Sequence, residues 1–137
     1  MRRIADSSLW LGHAGDIRDL RAVLSAGVLA VVDLAMNEAP AHVTRELVYC
    51  RFPLFDGQGN PPWLLRAAID CVAGLLRSGT PALVFCANGM NRSPCIAAAA
   101  VARVRSCPAA EALALVVESR AADISPGLWS EVQAALI

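Results

Sequence analysis

The stretch VFCANGMNRSPCIAAAA, residues 84–100, decides how this chain is read. It opens as the end of a buried strand and closes as an alanine-rich helix, and Cys86, Gly89 and Arg92 are packed into the junction between them. Gly89 lets the loop turn through positive φ, so that successive N–H groups can converge into an anion-binding nest. Ser93 is expected to cap the helix, and Pro94 suits its first position, with the helix running to about Arg105. The positive end of that helix then points back at the loop. A thiol there is favoured as thiolate, the nucleophilic form, and the planar Arg92 fork matches two oxygens of a tetrahedral oxyanion. A cysteine ending a strand and an arginine opening a helix also arise at ordinary corners; the strand before, the glycine within and Arg-Ser-Pro after favour an anion site.

Working outward, strand-like runs alternate with helical patterns, the mark of an α/β domain with a largely parallel sheet. Strands are expected at 7–12, 28–34, 47–53 and 81–85, the second a continuous apolar run suited to burial on both faces and the third ended by Pro53. Helices are expected at 15–27, with Gly27 closing it, near 39–45, from Pro61 or Pro62 to Ser78, and at 108–120 and 125–136. In such folds ligands bind beyond the carboxyl ends of the strands, where Cys86 to Arg92 falls.

The 137 residues fit one domain, and 56% hydrophobic against 18% charged residues provides for a single core. Twelve basic residues balance twelve acidic ones, so no overall field draws the chain to nucleic acid or an anionic membrane, and anion binding has to be local. Every basic residue is arginine, a bias expected of a GC-rich, bacterial genome. No run of about 18 residues is free of charge and the first residues lack a secretory apolar segment, so the expectation is a soluble, cytoplasmic protein outside the membrane. Five cysteines without a CxxC pair or Cys/His cluster argue against a disulfide framework or a metal site. Oligomeric state is not legible.

The segment VFCANGMNRSP resembles the signature of the cysteine-dependent protein phosphatases, in particular the dual-specificity branch with its pattern HCxxGxxRS. SSLWLGHAGDIRDLRAVLSAGVLAVVDLAMNEAP, residues 7–40, is similar to that family's opening, and the likeness runs from about Leu9 to Ala121. It implies a single catalytic domain over 1–137, a three-layer sandwich whose mostly parallel sheet of four to five strands is flanked by helices. It implies Cys86 as nucleophile, Arg92 as phosphate clamp, and Ala87, Asn88, Gly89, Met90 and Asn91 as the rest of the phosphate loop. Asp56, in the turn-rich FDGQGNPPW after the third strand, falls where the family's general acid sits; Asp-Gly is equally an ordinary turn pair. Ser93 is either a helix cap or a hydroxyl that stabilises the leaving thiolate. No cofactor is implied, and the partner is a phosphorylated protein or a small phosphomonoester.

Phe85 departs from the pattern, which has histidine before the cysteine to hydrogen-bond the loop backbone. Asn88 and Asn91 are candidates to brace the loop instead. Asp33 is expected to satisfy loop amides, His13 and His42 to be solvated, and Trp63 to pack or to line the pocket mouth. Cys50 has two readings, a small buried hydrophobe or a thiol that traps oxidised Cys86. Two other functions stay open. One is a pseudophosphatase that binds phosphate or phosphoprotein without turnover, and the other is sulfur transfer in the rhodanese manner, also run from a loop cysteine.

Overall fold

The computed structural model describes residues 1–118 and 121–137. The chain order is β1 (Arg2–Arg3), β2 (Leu9–His13), α1 (Ala14–Ile17), α2 (Leu20–Ser25), β3 (Ala30–Ala35), β4 (Val48–Leu54), α3 (Pro62–Arg77), β5 (Ala82–Cys86), α4 (Arg92–Arg105), α5 (Ala109–Val117) and α6 (Pro126–Ala135). The strands form one sheet in the order β1-β2-β5-β3-β4, parallel throughout except for the antiparallel β1–β2 pair at one edge. This is the expected α/β class with a mostly parallel sheet, extended by the short β1.

The central strands bury their side chains on both faces. β3 and β5 are buried at every position, as their mainly apolar sequences favour, with Asp33 the one charged side chain among them. On one face lies the main core, built with α3, α4, α5 and α6; on the other a smaller cluster of Ile17, Val23, Val28, Val31, Leu47, Leu83 and Phe85 sits under α1 and α2. α3 turns Leu64, Leu65, Ala68, Ile69, Val72 and Ala73 inward, a stripe repeating every three to four residues, and Pro62 starts it. α4 is buried from Arg92 through Ala102. Its alanines allow a helix to pack between the sheet and three neighbouring helices without the bulk that larger side chains would bring.

Several expected boundaries are corrected. The single helix at 15–27 is two short ones, because the Asp16 carboxylate caps back to His13 and the Asp19 carboxylate accepts the Ala22 N–H at 3.1 Å, restarting the helix. Gly27 follows α2 with φ +83°, the left-handed closure its position predicted. No helix forms at 39–45. That segment is irregular, with the Ala41 N–H donating to the Tyr49 hydroxyl at 3.0 Å and Arg51 donating to the carbonyls of Ala35 and Glu38, so its polar backbone is satisfied by side chains of β4. β4 runs through Pro53 to Leu54, which an outer strand tolerates, and its register with β3 shifts between Asp33 and Ala35. α5 ends at Val117; the last residues of the helix expected at 108–120 lie outside the described residues.

Candidate active site

β5 ends at Cys86 and α4 begins at Arg92, so the loop between them stands at the carboxyl edge of the parallel strands, paired through His13 opposite Cys86. Cys86 is buried, with its Sγ 3.2 Å from the Gly89 N–H and 3.4 Å from the Ser93 hydroxyl. Gly89 takes φ +73°, and a Cβ on it would lie 2.8 Å from the Gly12 carbonyl oxygen. Only glycine permits both the turn and that backbone approach. The loop is tied down further by the Ala14 N–H, which donates to the Ala87 carbonyl, and the Asp123 N–H, which donates to that of Met90.

α4 starts two residues earlier than expected. Asn91 occupies the cap position without a side-chain cap bond, so Ser93 lies inside the first turn and is not the cap. Its hydroxyl is directed to the Cys86 sulfur instead. Arg92 is 1% exposed. One terminal nitrogen, Nη1, donates to the Leu54 carbonyl at 3.0 Å, and its Nε is buried with no hydrogen-bond partner among the described residues. The Asp56 Oδ1 lies 3.7 Å from that Nε, an ion pair too long for a hydrogen bond.

Asp56 follows β4 by two residues, in a loop that side chains hold in place. The Asn60 amide bonds the N–H and C=O of Phe55 and the C=O of Gly57, and Glu131 of α6 accepts the N–H groups of Gly59 and Asn60. Asn91 donates to Asp56 Oδ1 at 2.8 Å. A pocket of about 280 Å³ gathers Asp56, Cys86, Asn88, Met90, Asn91 and Arg92, with Asp123 to Pro126 forming its far wall. That wall is hidden in the sequence. Its only local signal is Ser125-Pro126, which reads as a helix start, and Ser125 does cap α6 by accepting the Leu128 N–H; nothing local places the turn beside a loop more than thirty residues away.

The remaining candidates fall elsewhere. Asp33 is 1% exposed and accepts from the Ala35 N–H and the Tyr49 hydroxyl, the amide-satisfying role expected of it, extended by a tyrosine. Burial, together with that hydrogen bond to Asp33, pushes the Tyr49 hydroxyl above its ordinary range. The His13 side chain is 53% exposed and caps α1, and His42 is exposed. Trp63 is 65% exposed and lines no part of the pocket, so it neither packs nor guards the mouth. Phe85 points to the opposite face of the sheet from Cys86, into the smaller apolar cluster. Cys50 is in register with Val32, which pairs Val84. Two strand spacings and two residues of rise therefore separate it from Cys86 by about 11–12 Å, beyond disulfide reach. Its neighbour is Cys71, which burial and then Cys50 push up to about 12. Cys95, one turn into α4, is pushed up to about 12 by burial, with Cys86 and Asp56 adding to the effect, and so stays a thiol. Among the described residues no helix is long and apolar enough to cross a membrane.

No family model matches the chain. Human dual specificity phosphatase 28 is 31% identical over 131 residues, covering 92% of this chain and 72% of the relative. The crystal structure of that human protein superposes with a TM-score of 0.86 at 27% identity, covering 99% of this chain and 95% of the other. The human tyrosine phosphatase-like serine/threonine/tyrosine-interacting protein shares the fold, with a TM-score of 0.81 at 20% identity over 98% of this chain and 93% of its own.

Proposed function

The chain belongs to the dual-specificity phosphatase family, and on that premise we propose that residues 1–137 act as one catalytic domain hydrolysing phosphoric monoesters of protein side chains through a phosphocysteine. The observation that carries this is the Arg92 Nε, a cationic N–H buried beside the Cys86 sulfur's pocket without a hydrogen-bond partner among the described residues. An unsatisfied buried donor costs about 1–3 kcal/mol, and more when charged. A phosphate oxygen is the acceptor that would relieve it.

In the first step the Cys86 thiolate attacks phosphorus in line. The S–P bond forms as the bond to the leaving oxygen breaks, Arg92 and the loop N–H groups of residues 87–91 hold the equatorial oxygens, and Asp56 gives its proton to the departing alcohol or phenol. In the second step water attacks the phosphocysteine, Asp56 takes its proton, and the S–P bond breaks. The Ser93 hydroxyl, 3.4 Å from the sulfur, donates to the thiolate as it leaves. Apart from Arg92 itself, no cationic side chain lies in the loop, and among the described residues the pocket adds two carboxylates, Asp56 and Asp123. That balance favours a singly phosphorylated side chain over a polyphosphorylated inositol.

The test is hydrolysis of p-nitrophenyl phosphate, phosphotyrosine and phosphoserine/threonine peptides and an inositol phosphate side by side, with Cys86→Ser as control. Turnover should appear on the monoesters and fall by at least about 10⁴-fold in the variant, the scale of nucleophile loss. Phosphopeptide binding without wild-type turnover would favour the binding module that Phe85 left open, and cyanolysis of thiosulfate would favour sulfur transfer.

A further inference from the structure

Asn91 stands where three parts of the pocket meet. It occupies the last loop position before α4, its side chain is buried, and both ends of its amide are used. The Oδ1 accepts the Ser125 N–H at 2.9 Å and also faces the Cys95 thiol at 3.8 Å, while Nδ2 donates to Asp56 Oδ1 at 2.8 Å. A backbone N–H can only donate, so the Ser125 contact fixes which end of the amide is oxygen and leaves the NH₂ for the carboxylate. The orientation of Asn91 is thus set by a backbone group of the far wall and passed to Asp56.

The consequence lies in the two oxygens of Asp56. Oδ1 is engaged by Asn91 and faces the Arg92 Nε, whereas among the described residues no hydrogen bond engages Oδ2. An oxygen that already accepts an N–H beside a guanidinium is the wrong one to carry a proton; the proton is better held on the other. We infer that Asn91 is a positioning residue which holds Asp56 by Oδ1 so that Oδ2 carries the proton to the leaving oxygen, linking the acid loop to the phosphate loop and to the wall at 123–126. The inference rests on the phosphatase reading above.

A positioning role for the acid has a readout that general weakening of the loop lacks. Protonation matters most when the leaving group is a poor one, so the loss caused by Asn91→Ala should depend on the ester. Removing a general acid costs about 10²–10⁴-fold, and misplacing it should cost at least about tenfold more on phenyl phosphate than on p-nitrophenyl phosphate. Asn91→Ser, which keeps a small polar side chain too short to reach both partners, should show the same dependence and guards against a folding defect in the alanine variant. Added to Asp56→Asn, either change should cost little more, since both act through one group. Equal losses on the two esters, or losses that add fully to those of Asp56→Asn, would overturn the inference while leaving the phosphatase reading in place. A wild-type chain inert on both esters would overturn the phosphatase reading and this inference with it.

Discussion

The loop after β5 and the loop after β4 reach the same pocket but are held by different forces. The first is held by backbone: Gly89 turns against the Gly12 carbonyl, the Gly89 N–H meets the Cys86 sulfur, and the loop runs directly into a buried helix. The second, at 55–61, is held by side chains, Asn60 from within the loop, and Glu131 of α6 and Asn91 of the loop after β5 from outside it. An anion cradle made of N–H groups and a helix terminus is fixed once the backbone is folded. A carboxylate placed by side-chain bonds, as Asp56 is, can be loosened one bond at a time, so the two loops should fail separately.

The sharpest way to separate them is through the acid itself. Asp56→Asn should lower kcat on phenyl phosphate by about 10²–10³-fold while leaving vanadate inhibition near wild type, because the cradle is untouched. The amide cannot give the proton, so the loss should be much smaller on p-nitrophenyl phosphate, whose leaving group needs less protonation. Equal losses on the two esters would remove Asp56 from the mechanism.

Gly89→Ala strikes the other loop. The substitution puts a side chain at φ +73° and a Cβ 2.8 Å from a backbone oxygen that has no flexible end to move. Left-handed strain and overpacking together should destabilise the fold by about 2–4 kcal/mol in urea unfolding. Vanadate inhibition should weaken in parallel, because the N–H that meets the sulfur is displaced. A variant with native stability and native inhibition would show that the cradle tolerates what its geometry forbids.

The same division explains what could be read from the sequence. The β5–α4 junction was legible because its pieces lie within seven residues, from Cys86 to Arg92, and each acts through local backbone chemistry. β3 and α3 were legible from a largely apolar run and from helical spacing after proline. The misplaced boundaries share a cause, namely a side chain choosing a partner that local pattern does not reveal. Asp19 breaks the 15–27 helix, Tyr49 and Arg51 satisfy the backbone where a helix was expected near 39–45, and the Ser93 hydroxyl turns to sulfur in place of capping. Asn91 was legible as a brace, but its partners, Asp56 and Ser125, lie 35 and 34 residues away. The wall at 123–126 left only the Ser125-Pro126 helix start, and the Glu131 contact no mark, since both contacts arise only when α6 packs beside the loop at 55–61.

Glu131 gives the mildest test and the cleanest one, because among the described residues its carboxylate hydrogen-bonds only the loop at 55–61. Its two carboxylate oxygens accept from the Gly59 N–H at 2.8 Å and the Asn60 N–H at 3.2 Å, bonding across 72 and 71 residues of sequence. Hydrogen bonds to a charged acceptor are the stronger kind, and Glu131→Ala should cost about 1–2 kcal/mol in unfolding, with partial recovery in Glu131→Gln, which keeps one acceptor. If the acid loop is set by side chains while the cradle is set by backbone, kcat on phenyl phosphate should fall by about 3–10-fold, as expected when a catalytic group loses part of its alignment. Vanadate inhibition should stay unchanged. A matching fall in both would mean that the two loops move as one body, and that the Asn91 bridge between them carries disturbance in both directions.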